Sequence, residues 1–115
     1  MSSRIFKPSD FILQSETEPI RSVINESADA VVIMWHVLPG QQIKPHIHPE
    51  GQDTWIVVSG EGMYICDAES EPVLAKAGHI LVAHRLEVHG VINTGSEPFQ
   101  FISILSPAKA GFQAF

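Results

Sequence analysis

His46 and His48 stand one residue apart in GQQIKPHIHPEGQDTWIVVSGEG, residues 40–62. In an extended segment, side chains at i and i+2 lie on the same face, so both imidazoles can aim at one point. Two converging imidazoles are the usual start of a transition-metal site. A third candidate is His89, in the later apolar run VHGVIN. Taken singly, a histidine in such a run reads as packed and hydrogen-bonded; it gains weight only as a partner to the pair. His36, inside AVVIMWHVL, reads as a core or partner-facing residue and stays outside the set.

These residues need a scaffold, and the sequence points to strands. Eight glycines and eight prolines separate short runs rich in Val, Ile, Trp, Phe and Tyr, the pattern of an all-β sandwich or barrel. No segment holds a helical period. Strands are expected over 20–25, 30–38, 53–59, 63–67, 73–75, 80–83, 88–93 and 99–105, with a tight hairpin at Ser59-Gly60-Glu61-Gly62. Residues 30–38 are apolar almost throughout, as in a strand buried on both faces. The segment 5–18 reads as an arm or edge strand. The tail AKAGFQAF is too apolar for a solvated end, so Phe112 and Phe115 are expected to dock on the body or on a second subunit.

At this point the sequence resembles the cupin superfamily. Gly40, five residues, His46-Ile47-His48, four residues, Asp53, six residues and Gly60 follow the spacing of the family's first motif. Gly78, five residues, His84, one residue, Leu86, two residues, His89, three residues and Asn93 follow its second. The resemblance implies a jelly-roll β-barrel in which His46, His48, an acidic residue and His89 hold one divalent transition metal ion: Fe, Mn, Ni, Cu or Zn. The family's glutamate is Asp53 here, one methylene shorter, and Gln52 occupies the alternative slot that the family's variable spacing allows. Strand alternation lets one of the two face inward unless a β-bulge intervenes. Asp53 is favoured, because it is in phase with Trp55 and Val57 and its charge offsets that of a metal. In the second motif the family's proline is His84 and its glycine is Leu86, which implies a differently shaped turn. His84 reads equally as a group near the ligands or as an exposed loop histidine, His79 as solvated, and Asn93 as a turn-tying structural residue.

The reading this supports is a metal-dependent enzyme, of oxygenase type or related chemistry, acting on a small oxygenated organic molecule. Trp55, Met34 and Met63 are candidates for an apolar wall, with core packing the favoured role for each; the catalytic residues are unassigned. The alternatives are a non-catalytic metal-containing module that binds or senses a small ligand, and a vestigial site on a dimerising scaffold. No Ser-His-Asp set, phosphate-binding glycine loop or spare carboxylate pair competes.

The totals agree with this class. A chain of 115 residues suits one domain, expected as an arm over 1–28, a barrel core over 29–105 and a tail over 106–115. Seven Lys plus Arg against thirteen Asp plus Glu give a net charge of -6, which disfavours nucleic acid as a partner. The single cysteine, Cys66, forbids an intrachain disulfide and reads as a half-buried strand residue. No apolar run has the length of a membrane span or a secretory signal, so a cytoplasmic protein is expected. The apolar arm and aromatic tail, together with the family resemblance, favour a homodimer.

Overall fold

The computed structural model describes residues 3–115. It contains ten strands: β1 (Ser22–Glu26), β2 (Val31–Val37), β3 (Gln42–Ile47), β4 (Gln52–Ser59), β5 (Glu61–Ile65), β6 (Val73–Lys76), β7 (Ile80–Ala83), β8 (His89–Ile92), β9 (Phe99–Ser106) and β10 (Gln113–Ala114). They form two antiparallel five-stranded sheets, in the orders β1-β2-β9-β4-β7 and β10-β3-β8-β5-β6. The sheets pack face to face as a jelly roll, with edges left open. The segment 5–18 is an arm with one 3₁₀ turn at Pro8–Phe11, and it forms no strand.

Alternation sets which side chains enter the space between the sheets. In β4, Asp53, Trp55 and Val57 are buried, and in β9, Phe99, Phe101, Ser103 and Leu105. Trp55 stacks on Phe101 with centroids 4.1 Å apart, and Val37, Tyr64, Ala75 and Val91 complete this core. Fully burying an aromatic side chain of this kind contributes about 2–3 kcal/mol, so these rings hold the sheets at a fixed separation. The site is built on that fixed frame.

Two glycines make close approaches that a side chain would block. At Gly60, with φ +80°, a Cβ would lie 2.1 Å from the Pro98 carbonyl oxygen, so the β4–β5 hairpin can press against the start of β9. At Gly90, beside His89, a Cβ would lie 2.7 Å from the Ile43 carbonyl oxygen. The bare backbone there lets β3 and β8 close up where the register of β3 shifts between Ile43 and His46. Pro45 sits in that irregularity, where its missing N–H costs no ladder bond. The result places His46 directly opposite His89.

The turn before β8 carries both departures from the second motif, His84 and Leu86. Leu86, at the position of the motif's glycine, adopts φ 71°, the left-handed conformation a glycine takes without strain. Its amide donates to the His48 carbonyl at 3.2 Å, so the turn is tied to the histidine pair despite the side chain. Leu86 is exposed. Leu86→Gly should therefore stabilise the fold by about 0.5–1 kcal/mol, since relief of left-handed strain exceeds the added chain entropy. Chemical denaturation checks this, and a variant less stable than the parent would show that Leu86 contributes packing instead.

Candidate metal centre

His46, His48, Asp53 and His89 come together between the two sheets, all four buried, with one ligand-capable atom from each lying within 4.8 Å of the others. The histidines come from the β3–β8 side and Asp53 from the opposite sheet. Gln52, the alternative to Asp53, is exposed and faces away, as alternation along β4 requires. Among the four, His89 is only 1% exposed.

Each histidine commits the same nitrogen elsewhere. Nδ1 of His46 lies 2.8 Å from the Lys44 carbonyl, Nδ1 of His48 2.6 Å from the Gly111 carbonyl, and Nδ1 of His89 3.2 Å from the Glu87 carbonyl. A carbonyl can only accept, so Nδ1 carries the hydrogen in all three rings, and in a neutral imidazole Nε2 is left with a free lone pair. The imidazole centroids lie 4.2 to 5.1 Å apart. Asp53 Oδ2 is 3.1 Å from Nε2 of His89 and 3.4 Å from Nε2 of His48. Ser103, from β9, donates its hydroxyl to Asp53 Oδ1 at 2.5 Å and fixes the carboxylate's orientation.

Three nitrogen lone pairs and a carboxylate converging in a buried space repel one another unless a cation or protons sit among them. The same crowding sets the electrostatics of the group. Burial opposes a charge on His48, but its hydrogen bond with Asp53 and the Gly111 carbonyl outweigh that and raise its pKa; Arg21 works weakly against them. Burial would also raise the Asp53 pKa, yet His48, His89 and Ser103 hold it well below the usual carboxylate range. His46 is pushed down to about 4, first by burial and then by the neighbouring His89. Nε2 donors with Nδ1 anchored on carbonyls, plus one oriented carboxylate, are a donor set that fits a divalent transition metal.

Above the cluster lies a cavity of about 560 Å³, within the range that holds small molecules. Its apolar wall includes Ile33, Trp35, Ile43, Trp55, Leu105 and Phe112, and Arg21, Lys44 and Glu18 also line it. Phe112 is 69% exposed, yet its ring stacks on His46 with centroids 5.1 Å apart.

The family model described as the cupin domain matches residues 23–105. The chain belongs to the cupin family. This cupin is also similar to a conserved protein with a double-stranded β-helix domain from Klebsiella pneumoniae, at 47% identity over 98% of this chain and 97% of the other, with a TM-score of 0.94. Two more distant solved structures share the fold. The TT1209 protein of Thermus thermophilus is 20% identical, covering 92% of this chain and 99% of the other, with a TM-score of 0.85. A predicted oxalate decarboxylase from Thermotoga maritima is 19% identical, covering 80% and 94%, with a TM-score of 0.70. No curated protein matches the sequence.

Several residues singled out in the sequence lie apart from the cluster. His84 is exposed in the turn before β8, where its Nδ1 lies 2.7 Å from Glu87 Oε1. His79 is exposed as well, and Cys66 is exposed just beyond β5 rather than half-buried within it. Met34 and Met63 do not line the cavity, whereas Trp55 does. His36 is buried on the outer side of β2, its Nδ1 2.9 Å from Gln100 Nε2. Asn93 ties its turn together, donating to the Val37 and Glu97 carbonyls and accepting from the Gly95 amide. Ser103, Trp35, Arg21 and the Gly111 carbonyl were not singled out. In-phase counting along β9 could have found Ser103, a hydroxyl among inward-facing apolar residues.

Proposed function

We propose that His46, His48, Asp53 and His89 hold one divalent transition metal ion per chain, Fe, Mn, Ni, Cu or Zn, and that this cupin is an enzyme acting on a small oxygenated organic molecule, with oxygenase-type chemistry the leading form. The observation that carries the reading is the shared anchoring of the three Nδ1 atoms, which leaves three Nε2 lone pairs and the Asp53 carboxylate converging beneath the cavity. When bound, such an ion supplies Lewis acidity toward a ligand oxygen and, if redox-active, one-electron chemistry. The chain's own residues orient and enclose: Ser103 aims Asp53, the carbonyls aim the imidazoles, and Trp35, Ile43 and Phe112 keep water from one side of the ligand. Oxygen uptake by the Fe(II)-loaded protein across a panel of enols, thiols and catechols tests the enzyme reading.

A non-catalytic binding module is the second reading. It is favoured by the cavity's short supply of acid–base groups outside the cluster, Glu18 being the one further carboxylate in its lining. Saturable ligand binding without turnover under any of the five metals would decide for it.

Metal affinity should fall on acidification. The raised pKa of His48 makes it the first of these ligands for which protons compete with the metal as the pH falls, whereas His46, held at about 4, stays neutral to lower pH. Affinity is expected to drop by about tenfold per pH unit once the pH is below the raised pKa of His48, and more steeply as it approaches the value for His46. Chelator competition at stepped pH measures this, and a flat profile would count against imidazole ligation.

The homodimer expectation finds support on the outer side of the first sheet. Register there aligns Ile102, Ile56 and Ile80 in one row and Val32, Ile104, Thr54 and Val82 in the next, while Met34, at the end of the first row, is already buried within the chain. Ile80 is 64% exposed. A second copy covering these rows would remove that apolar surface from water. Ile80→Glu should then shift the protein to monomer by light scattering, and an unchanged dimer would place the interface elsewhere.

A further inference from the structure

We propose that the cavity over the cluster selects a small carboxylate with a planar apolar body, its charge held between Arg21, Lys44 and the metal centre. This rests on the metal reading above and names the class of ligand it would serve.

The chain is acidic overall, with seven Lys and Arg against thirteen Asp and Glu. Two of those cations nevertheless line this one cavity, and neither forms an ion pair, since every salt bridge among the described residues joins a histidine to a carboxylate. Glu18 is the rim's one acid, so Arg21 and Lys44 leave the rim at a net charge of about +1. A divalent ion set against Asp53, with three neutral imidazoles, adds about +1 at the floor. A concavity with that balance attracts an anion and disfavours a cation.

The walls that present these charges are held in place. Lys44 lies two residues before His46, and its own carbonyl anchors the His46 ring. The arm bearing Thr17, Glu18 and Pro19 is pinned where Gln41 Nε2 donates to the Ser15 carbonyl at 2.6 Å, Gln41 itself being buried. In the same lining, Trp35, Ile43 and Phe112 offer apolar and aromatic surface, which suits a flat hydrocarbon body better than a polyhydroxylated one. An arginine can receive a carboxylate through two parallel N–H donors, a geometry that a neutral amide cannot match.

The test is calorimetric titration of the Zn(II)-loaded protein with benzoate and with benzamide, which share a ring and differ in charge. Benzoate should bind at least about tenfold more tightly. The exposed pair Arg21→Gln and Lys44→Gln should remove that preference while zinc content stays at the parent level, and Arg21→Lys should retain part of it. Equal binding of the two probes by the zinc-loaded parent, or an undiminished preference in the double variant, would overturn the ligand assignment alone. A parent chain that holds no zinc would overturn the metal reading and this inference together.

Discussion

Alanine at His89 or at His46 is expected to leave the protein without a tightly held metal ion. Each change removes an Nε2 donor from a four-residue set, and no further histidine, cysteine or carboxylate among the described residues belongs to the cluster. Loss of an outer partner of a metal ligand typically costs about 10–100-fold in affinity, so loss of the ligand itself should exceed about 100-fold. His89→Ala also leaves Asp53 Oδ2 without its 3.1 Å partner, so some loss of stability should accompany it. Circular dichroism and metal content, measured on the same samples, separate the two effects. His84→Ala and His36→Ala are the controls, because both histidines lie outside the cluster and should retain the parent's metal content. A His46 or His89 variant that is folded and still fully loaded would refute the assignment.

Removal of residues 111–115 should weaken metal binding by about 10–100-fold. The tail does more than cover the site. Gly111 supplies the carbonyl that accepts from His48 Nδ1 at 2.6 Å, Phe112 stacks on His46, and β10 pairs with β3 at Ile47 and His46. Without that carbonyl His48 can turn or adopt the other tautomer, which withdraws Nε2 from the cluster. The body should stay folded, because the buried Ala110 remains and its carbonyl still accepts from the Glu50 amide. Phe112→Ala separates the contributions: it opens the cavity but keeps the Gly111 carbonyl, so metal affinity should stay near that of the parent. A truncated chain that bound metal as tightly as the parent would show that His48 needs no partner from the tail.

What the sequence made legible follows from how each signal is encoded. The histidine pair and Asp53 could be read because strand alternation converts spacing into facing, and the same parity turns Gln52 outward. The strand runs were legible for a similar reason, since apolar runs between glycines and prolines leave little choice. Parity was uninformative in residues 30–38, where both faces are apolar. The inward row is Val31, Ile33, Trp35 and Val37, so Trp35 lines the cavity and Met34 does not. Met63 lies between Gly62 and Tyr64, both buried inward, and so points out.

The supporting groups are hidden for a different reason. The anchors of all three imidazoles are backbone carbonyls, at Lys44, Glu87 and Gly111, and a carbonyl has no residue type to recognise. The tail was expected to dock through Phe112 and Phe115 on the body or on a second subunit; on the body, Phe112 stacks on His46 although its ring stays largely exposed, Phe115 is exposed, and β10 and Ala110 make the rest of the docking, which no residue type announces. At Leu86 the sequence showed only that the glycine was missing; the left-handed conformation and the tie from its amide to the His48 carbonyl are backbone features with no residue type to announce them.

The most direct test of the central claim is an anomalous-scattering crystal structure of protein loaded with one of the five metals. The account predicts a single site with Nε2 of His46, His48 and His89 and an oxygen of Asp53 at about 2.0–2.2 Å from the ion. An ion bound through Gln52, or no ordered ion among these four side chains at saturating metal, would contradict it.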